Sequence, residues 1–521
     1  MFSCFVSRSA LVSAAAAVLL PAGQAGALVF SGVNEASLDQ PRIHAAITLP
    51  GSPDTPLVAE TTDIFGDPVE TFTIQAFFDT GASGVLMSKE TADALGVPMA
   101  DGVAFGDVGV GGISFFDVSD DVMVRLAPFT PNADVDNPDT FTSTYDQSFG
   151  PLRMQVAQTL AGLTGPLDVF GMPVFQGKTV VMDARPVNQI IGTINTTVHD
   201  SGDTSAFVPP AHLTIPTTYA DFAPFTTVTP SGAQGPTLND NPFIGPDPTA
   251  ALGAAAPAGN TPGVQTFDDG QLVEGSWLFD TGAATSIISS ATAAGHHVRY
   301  VAGTEDTESP QLERFDPTDP DAPGTLLAEQ FTLQIGGVGG VTTKAGFFLE
   351  TLTLPTVEGE PITFTHAPAL VADIELQDPD TLESLTLDGI LGMNYFVGSA
   401  ALDFSAINAG AFDFFTFDQP SGDIGLTINP ALLDTAAYLD AITSGWQQSG
   451  EGWDEGDLNG DGIVDEFDLA RLAVMWPEGQ STTFAEAVAA AEFVPEPGTA
   501  AVLVGLGGVM AGYRPRRRGK R

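Results

Sequence analysis

The sequence predicts a mainly β protein, and three observations support this class. Its 521 residues include 57 Gly and 39 Pro, and only 16% are charged, which favours strands joined by turns over a helical bundle. Short apolar runs such as FTLQIGG, TVVMDA and AALDFS recur between turn signals. Long stretches with the 3.6-residue period of an amphipathic helix are scarce. A chain of this length can form two or three domains with proper cores.

The charge balance limits the partners of the protein. Lys and Arg number 17 against 65 Asp and Glu, which gives a formal net charge of −48. Such a surface repels phosphate groups, so we expect no nucleic-acid partner. It suits a salty exterior, where counterions screen the self-repulsion.

Residues 1–27 are predicted to be a secretory signal peptide. Arg8 precedes the apolar run ALVSAAAAVLLPAG, and the small residues AGA end at Ala27, where cleavage is expected. The apolar run is too short for a permanent membrane span. The single cysteine, Cys4, lies inside this segment, so the exported protein is expected to contain no disulfide.

The stretch FFDTGASGVLMS places Asp79 between two apolar runs. An aspartate in this setting is costly unless it is hydrogen-bonded or has a function. Some 200 residues later LFDTGAATSIIS repeats the same order, with Asp280 in the place of Asp79. One Asp-Thr-Gly sequence alone predicts only a turn, whereas two in matching context indicate an internal repeat.

The repeat continues beyond these turns. DVFGMPVFQGKTVVMD, residues 168–183, matches DGILGMNYFVGSAALD, residues 388–403, with Gly171 and Met172 in the places of Gly392 and Met393. The glycine-rich segments FGDVGVGGISFF and IGGVGGVTTKAGFF lie between the paired motifs and are predicted to be hairpins. Each half therefore has an acid turn, a glycine-rich hairpin and an apolar strand with an embedded glycine, in that order.

These segments resemble the aspartic protease family in its two-lobed, pepsin-like arrangement, over roughly residues 40–430. The family signature is two hydrophobic residues followed by Asp, Thr or Ser, and Gly. A second element, two hydrophobic residues and Gly, passes close to the first in each lobe. Here the second elements would be VFG, residues 169–171, and ILG, residues 390–392.

The resemblance implies a two-lobed, double β-barrel-like fold with pseudo-two-fold symmetry. We assign an N-terminal lobe to residues 28–240 and a C-terminal lobe to residues 264–432. Between them, residues 241–263 are rich in Pro, Ala and Gly, as expected of a linker.

The resemblance also implies that Asp79 and Asp280 are the catalytic residues. Two carboxyl groups about 3 Å apart cannot both ionise, so they share one proton, and their apparent pKa values belong to the pair. One carboxylate then acts as a base toward a water molecule, while the other, protonated, polarises the scissile carbonyl. No cofactor is needed for this reaction.

The neighbours of the two aspartates are expected to support the turns. Thr80 and Thr281 could brace them through mutual hydrogen bonds. Gly81 and Gly282 allow a turn that a β-carbon would obstruct.

The sequence departs from pepsin-like proteases in its flap, where FGDVGVGGISFF lacks the usual tyrosine and Tyr145 lies too far along the chain. Its glycine-rich flaps look more like those of the retroviral-type branch. Two hypotheses follow. The first is an exported, surface-sorted aspartic endopeptidase acting on proteins or peptides. The alternative is a non-catalytic extracellular binding or structural protein on the same scaffold.

Residues 433–480 are predicted to form a small α-helical, calcium-binding module. In GDLNGDGIVDEFDLARLAVMW, the oxygen-bearing positions one, three, five, seven, nine and twelve of a calcium loop are Asp457, Asn459, Asp461, Ile463 through its carbonyl, Asp465 and Asp468. The loop resembles the dockerin type of EF-hand. Calcium would stabilise a stalk or tether; an acidic turn without an ion is the alternative.

The helix after this loop is predicted to present Phe467, Leu469, Leu472, Ala473 and Trp476 on one apolar side. Dockerins that bind cohesins carry two such repeats, and this sequence has one. A cohesin-type partner is therefore disfavoured.

The end of the chain resembles a PEP-CTERM sorting signal, over residues 494–521, after a linker at residues 481–493. Pro495-Glu496-Pro497 precedes an apolar stretch and a basic tail. In that family the tripeptide marks a processing site, so contact with the membrane would be transient. The orientation agrees with the positive-inside rule. A plain membrane anchor is the alternative, although the apolar stretch is short for a span.

Overall fold

The computed structural model describes residues 28–62, 68–109, 112–131, 133–157, 167–203, 208–220, 241–249, 261–337, 340–377, 384–450, 452–476 and 482–491. The predicted signal peptide and the predicted sorting signal therefore lie outside the described residues, as does part of the predicted linker at 241–263. Among the described residues, no helix is both long and apolar enough to cross a membrane.

The chain is mainly β, as predicted. Up to residue 220 the described strands are β1 (Leu28–Phe30), β2 (Ala36–Ser37), β3 (Arg42–Leu49), β4 (Ser52–Pro56), β5 (Ala59–Thr62), β6 (Pro68–Thr71), β7 (Ile74–Phe78), β8 (Val85–Ser88), β9 (Met99–Gly109), β10 (Gly112–Ser119), β11 (Val122–Ala127), β12 (Gln147–Leu152), β13 (Gln155–Ala157), β14 (Val169–Phe170), β15 (Lys178–Asp183), β16 (Asn195–Asp200), β17 (Leu213–Pro216) and β18 (Thr218–Ala220).

From residue 241 onward the described strands are β19 (Asn241–Ile244), β20 (Val264–Asp268), β21 (Gln271–Gly275), β22 (Trp277–Phe279), β23 (Ile287–Ile288), β24 (Val298–Tyr300), β25 (Leu312–Arg314), β26 (Thr325–Leu326), β27 (Gln330–Gly337), β28 (Gly340–Leu354), β29 (Ile362–Val371), β30 (Glu375–Gln377), β31 (Ser384–Thr386), β32 (Gly389–Leu391), β33 (Ser399–Ala400), β34 (Ile407–Asn408), β35 (Phe412–Asp418) and β36 (Asp423–Ile428).

The helices are short. In the described chain they are α1 (Lys89–Leu95), α2 (Phe141–Thr144), α3 (Arg185–Asn188), α4 (Ser290–Gly295), α5 (Thr435–Gly445), α6 (Glu466–Met475) and α7 (Phe484–Ala490). Helices α1 and α4 begin in the same way, because the hydroxyls of Ser88 and Ser289 accept a hydrogen bond from the amide three residues later. These two serines occupy equivalent places in the repeated sequence.

Two large sheets share one arrangement of strands. We call residues 28–220 the N-terminal half and residues 241–432 the C-terminal half. The ten-stranded sheet has the central order β3-β7-β14-β8-β13-β10, and the eleven-stranded sheet has β19-β22-β32-β23-β29-β28. Arg42 pairs with Phe77 in the first sheet and Phe243 with Leu278 in the second. The residue numbers of the second pair are those of the first pair plus 201, which is also the separation between Thr80 and Thr281.

A third, five-stranded sheet joins the two halves. Its order is β16-β15-β35-β36-β17, and β15 of the N-terminal half pairs antiparallel with β35 of the C-terminal half. The register runs from Thr179 opposite Asp418 to Asp183 opposite Phe414. Within the described residues the sheets stay open and do not close into barrels. The barrel-like closure expected from the sequence is therefore not seen there.

The start of the predicted linker is a strand. Residues 241–244 form β19, which is fully buried and pairs with β22 on one side and β18 on the other. Composition alone predicted a linker because Pro, Ala and Gly are frequent just beyond this strand. The C-terminal half therefore begins at Asn241 rather than at residue 264.

The first residues assigned to the N-terminal lobe pair with the other half. Strand β1 runs parallel to β29, and β2 pairs with β33. The Ser37 amide also donates to the Ala284 carbonyl at 2.8 Å. The chain thus crosses the C-terminal half before it enters the ten-stranded sheet at β3.

One hydrophobic core connects both halves and the C-terminal module. It includes Phe78, Phe279 and Trp453, all fully buried. Phe78 packs edge-on against Phe175 with ring centroids 4.2 Å apart, and the equivalent Phe279 packs against Phe396 at 5.3 Å. Each fully buried aromatic side chain of this kind contributes about 1.5–3 kcal/mol. The strands that lead into the two Asp-Thr-Gly turns are therefore firmly anchored.

The C-terminal module contacts both halves and is not a free stalk in the described residues. Arg471 on α6 forms an ion pair with Glu358 at 3.0 Å and donates to the His212 carbonyl. The Trp453 amide donates to Glu360 at 3.3 Å. Both glutamates lie between β28 and β29, so the module covers that turn.

The apolar side of α6 differs from the prediction at Phe467. Leu469, Leu472 and Met475 are buried, whereas Phe467 is 64% exposed. Phe467 precedes Leu469 by two positions, roughly 200° around the helix, and so points away from the buried stripe.

Candidate active site and cation loop

The two Asp-Thr-Gly turns follow equivalent strands. Asp79 comes directly after β7, and Asp280 directly after β22. The Asp79 amide donates to the Phe170 carbonyl at 3.1 Å, and the Asp280 amide donates to the Leu391 carbonyl at 3.1 Å. Each aspartate is thereby tied to the short strand that contains the second hydrophobic element of its half.

Those second elements cross close behind the turns. The Met172 amide donates to the Ala82 carbonyl at 2.9 Å, and the Met393 amide donates to the Ala283 carbonyl at 2.8 Å. VFG and ILG therefore pass the first elements in the same way in both halves, as the sequence predicted. The backbone of each aspartate turn is held from two sides.

Each turn also fixes its own carboxylate. Asp79 Oδ1 accepts from the amides of Gly81 and Ala82 at 2.8 and 3.0 Å. Asp280 Oδ1 accepts from Gly282 and from Ala283, at 2.8 and 3.1 Å. The two turns therefore bind Oδ1 of their own aspartate in the same way.

The structure brings Asp79 and Asp280 into direct hydrogen-bond contact through their carboxyl groups. Burial raises the pKa of Asp79 above its ordinary value. Burial, followed by the negative charge of Asp79, raises the pKa of Asp280 well above its ordinary value. Two hydrogen-bonded carboxyls of this kind retain one proton between them, and that proton belongs to the pair. Both residues remain partly exposed.

The expected mutual hydrogen bonds between the two threonines are present. Thr80 and Thr281 exchange amide-to-hydroxyl hydrogen bonds of 3.1 Å. The Thr80 hydroxyl donates to the Phe279 carbonyl at 2.6 Å, and the Thr281 hydroxyl donates to the Phe78 carbonyl at 2.7 Å. Both threonines are fully buried. The four bonds cross between the halves and hold the two turns against each other.

Gly81 and Gly282 are needed for a second reason besides the turn conformation, because a β-carbon at either position would collide with the opposite aspartate. A β-carbon on Gly81 would lie 2.5 Å from Asp280 Cγ. On Gly282, a β-carbon would lie closer than 3.0 Å to every atom of the Asp79 carboxyl group. Each glycine thus leaves space for the aspartate of the opposite half. The close approach of the carboxyls depends on both.

The glycine-rich segments form the predicted hairpins. Strands β9 and β10 pair with Gly109 opposite Gly112, and β27 and β28 pair with Gly337 opposite Gly340. Phe115 on the first hairpin is 62% exposed. Tyr145 does not belong to that hairpin, because it is buried against Phe72 and Phe141.

Two residues beside the aspartates were missed by the sequence reasoning. The Asn241 side chain donates from Nδ2 to the Thr80 carbonyl at 2.8 Å, and the Gln40 side chain donates to the Gly282 carbonyl. Both lie 39 positions ahead of an aspartate, Gln40 before Asp79 and Asn241 before Asp280, and both precede a proline. This repeated amide-proline pair was the signal that could have found them.

The predicted cation loop is folded on its own backbone. The Asp457 carboxylate accepts from the amides of Gly460 and Gly462, each at 2.8 Å. Asp468 accepts from the amides of Leu458 at 2.7 Å and Asp465 at 2.8 Å. The two ends of the loop are thus held by buried carboxylates.

The remaining predicted ligands lie along the rim of the loop. The Asn459 side chain donates to Asp461 at 3.1 Å, and the Ile463 amide donates to Asp461 at 2.9 Å. The pKa of Asp465 is raised, first by burial and then by nearby carboxylates that include Asp461 and Asp457. In the described chain no three His, Cys, Asp or Glu side chains are already arranged as a metal site. The oxygen donors nevertheless suit a hard cation, whose charge would offset their repulsion.

No family model matches the sequence, and no curated protein is significantly similar to it.

Proposed function

We propose that this protein is an exported aspartic endopeptidase with the two-lobed fold of that family. The observation that carries the proposal is the hydrogen-bonded pair of Asp79 and Asp280, contributed by two equivalent turns. The matched strand order and the crossed threonine bonds support it, because a two-lobed fold with pseudo-two-fold symmetry requires two equivalent turns that lie against each other.

The proposed reaction is the hydrolysis of a peptide bond by a water molecule. The ionised carboxylate takes a proton from the water, and the protonated carboxyl donates a hydrogen bond to the scissile carbonyl oxygen. The water oxygen then attacks the carbonyl carbon. Collapse of the tetrahedral intermediate breaks the C–N bond, and the carboxyl that took a proton from the water passes that proton to the leaving amine. Thr80 and Thr281 hold the two acids in register throughout.

The proposal predicts a bell-shaped dependence of activity on pH. Below the lower apparent pKa of the pair both carboxyls are protonated and no base remains. Above the upper apparent pKa both are ionised and no acid remains. Activity is therefore confined to the window in which the pair holds a single proton.

The direct test is hydrolysis of a denatured protein from acidic to neutral pH, with and without pepstatin. Wild type is expected to cleave and to be inhibited. Asp79→Asn and Asp280→Asn are each expected to lower kcat on the order of 10⁴-fold, because each leaves the pair without one of its two roles. Activity that survives either substitution would refute the assignment. Absence of activity in a folded, processed wild type favours the non-catalytic binding or structural alternative.

We further propose that the dockerin-like loop holds a structural calcium ion. The ligands would be the side chains of Asp457, Asn459, Asp461, Asp465 and Asp468 together with the Ile463 carbonyl. Calcium supplies positive charge among these oxygens and takes no part in hydrolysis. Isothermal titration with calcium tests this directly, with Asp457→Asn as the variant expected to lose binding.

The proposed substrates are proteins or peptides outside the cell. The predicted signal peptide and sorting signal support this location, with transient membrane contact before processing. Mass spectrometry of the protein from the native cell envelope tests both ends. A mature chain is expected to begin near Leu28 and to end near Pro495. A nucleic-acid partner remains disfavoured by the net charge of −48.

A further inference from the structure

Two amide side chains touch the aspartate turns from outside them. Asn241 is 2% exposed, and its Nδ2 donates to the Thr80 carbonyl at 2.8 Å. Its Oδ1 accepts from the Ser83 hydroxyl at 2.6 Å, which fixes the orientation of the amide. In the other half, Gln40 donates from Nε2 to the Gly282 carbonyl.

The two carbonyls are connected to the carboxyl pair through their own peptide groups. The Thr80 carbonyl and the Gly81 amide belong to one peptide group, and that amide donates to Asp79 at 2.8 Å. The Gly282 carbonyl and the Ala283 amide belong to another, and that amide donates to Asp280 at 3.1 Å. A hydrogen bond accepted by a carbonyl polarises its peptide group and strengthens the bond its N–H donates.

The connection crosses between the halves. Asn241 begins β19, which pairs with the strand leading into Asp280, yet its amide reaches the turn of Asp79. Gln40 precedes β3, which pairs with the strand leading into Asp79, yet its amide reaches the turn of Asp280. The proline after each amide residue favours an extended backbone there, which sets the direction of approach.

We propose that Gln40 and Asn241 are positioning residues of the aspartate pair: each amide polarises the peptide group that donates a hydrogen bond to the aspartate of the opposite half. The kinetic consequence rests on the proposed function, whereas the effect on protonation of the pair does not. Neither residue touches the reacting atoms. Asn241 has the larger role, because it is buried and held by Ser83, while the residue equivalent to Ser83 is Ala284.

The polarised amides favour the ionised form of each carboxyl, because a hydrogen bond to a carboxylate stabilises its charge. The titratable group that acts on each carboxyl is the other aspartate. Removal of one amide therefore raises the lower apparent pKa of the pair. The acidic limb of the pH profile should move to higher pH.

The test compares Asn241→Leu with Asn188→Leu in the full chain. Asn188 also bridges the halves, since its side chain donates to the Phe412 carbonyl at 2.8 Å and accepts from Gly398 and Gly410, but it does not touch the pair. Asn241→Leu is expected to lower kcat about tenfold, by analogy with outer partners of active-site ligands. KM should change by less than about twofold, and the acidic limb should move upward.

Asn188→Leu is expected to lower the melting temperature while kcat and the pH profile stay at wild-type values. If the two variants shift kcat and the pH profile alike, the positioning role is overturned. Wild-type kinetics in Asn241→Leu would overturn it as well. If Asn241→Leu does not fold, Gln40→Leu at the more exposed site should show the same changes at smaller size, and unchanged kinetics there would count against the proposal.

A second readout keeps this test separate from the proposed function. The free energy of unfolding is measured against pH for each protein and for its Asp79→Asn derivative. The difference between the two curves reports proton binding by the pair even if the protein hydrolyses nothing. In the Asn241→Leu background this difference should move to higher pH. If it stays in place, the positioning role fails whether or not the protein is a protease.

Discussion

The carboxyl pair and the loop at residues 457–468 both gather acids against their mutual repulsion, but they hold them by different means. Asp79 and Asp280 come from turns 201 positions apart and are aligned by threonines that bond across the halves. Asp457 and Asp468 are held by amides of their own loop, at most ten positions away. Tertiary folding brings the carboxyl pair together, whereas hydrogen bonds between residues near in sequence position the acids of the loop.

The difference suggests how each repulsion is relieved. The pair is closed in by both halves, and a shared proton is the simplest way to remove one charge there. The loop carries four aspartates within residues 457–468, and such a set of oxygen donors suits a divalent cation. The pair should therefore respond to pH and to distant substitutions, and the loop to calcium and to changes in its own residues.

The largest expected effect follows from adding a methyl group between the two turns. Gly282→Ala would push a β-carbon into the carboxyl of Asp79, and Gly81→Ala into that of Asp280. A displacement of about 1 Å at a catalytic group costs on the order of 100-fold in kcat, and overpacking costs roughly 1–3 kcal/mol of unfolding free energy. Steady-state kinetics and urea unfolding measure both.

The matched control is Gly51→Ala, since a β-carbon on Gly51 would meet nothing within 4 Å. It should leave kcat and stability unchanged. Full activity in Gly282→Ala would show that catalysis does not depend on the close approach of the carboxyls.

Removal of the proposed calcium ion should lower the stability of the fold and leave the carboxyl pair unchanged. At a hundredfold excess over Kd, one bound ion stabilises the folded protein by about 2.7 kcal/mol. Because Arg471 and Trp453 tie the module to the turn of Glu358 and Glu360, unfolding of the loop should expose that turn. Chelation is expected to lower the melting temperature and to increase hydrogen exchange at residues 356–361.

Asp457→Asn serves as the matched variant, which should be insensitive to the chelator. The acidic limb of the activity profile should not move on chelation. Movement of that limb would mean that the loop and the pair are not independent.

Loss of one of the two threonine hydroxyls should lower the free energy of unfolding by about 2 kcal/mol. Thr80→Val removes the hydroxyl that accepts from the Thr281 amide, and Thr281→Val removes its counterpart. Each leaves a buried donor without a partner, which costs roughly 1–3 kcal/mol. Thr353→Val, in a partly exposed hydroxyl pair with Thr363, provides the comparison and should cost much less. Unequal losses at Thr80 and Thr281 would argue against two-fold equivalence of the brace.

The smallest expected effect is a gain in stability at neutral pH when Asp280 is replaced by Asn. Because folding raises the pKa of Asp280, the folded state binds its proton more tightly than the unfolded state. Unfolding free energy should therefore fall as pH rises from the ordinary carboxyl pKa through the raised one. Asp280→Asn removes this penalty and should raise the melting temperature at pH 7, while the same change at exposed Asp101 should not. A lower melting temperature in Asp280→Asn would contradict an upward shift of the Asp280 pKa on folding.

The sequence predicted those features that short, repeated motifs determine. The two aspartates, threonines and glycines, the VFG and ILG elements and both hairpins all follow from short motifs that recur in the same order in each half. The loop at 457–468 has hydrogen bonds that join residues near in sequence, as its local pattern indicates, whereas its calcium ion stays a prediction.

Features that depend on distant pairing were not readable. Residues 241–244 were assigned to a linker because Pro, Ala and Gly follow them, although they form a buried strand. Strand β1 was placed in the first lobe, yet its partner is β29 in the other half. No local pattern states which strand a short apolar run will join, so the crossing amides of Gln40 and Asn241 also escaped notice.

The most direct test of the central claim is a ¹³C NMR titration of the aspartate carboxyl carbons, in wild type and in Asp79→Asn. A shared proton predicts that two carboxyl signals titrate together in two steps separated by more than about one pH unit, and that Asp79→Asn leaves a single step. Two independent single-step titrations near the ordinary aspartate pKa, unchanged in the other residue by the substitution, would contradict it.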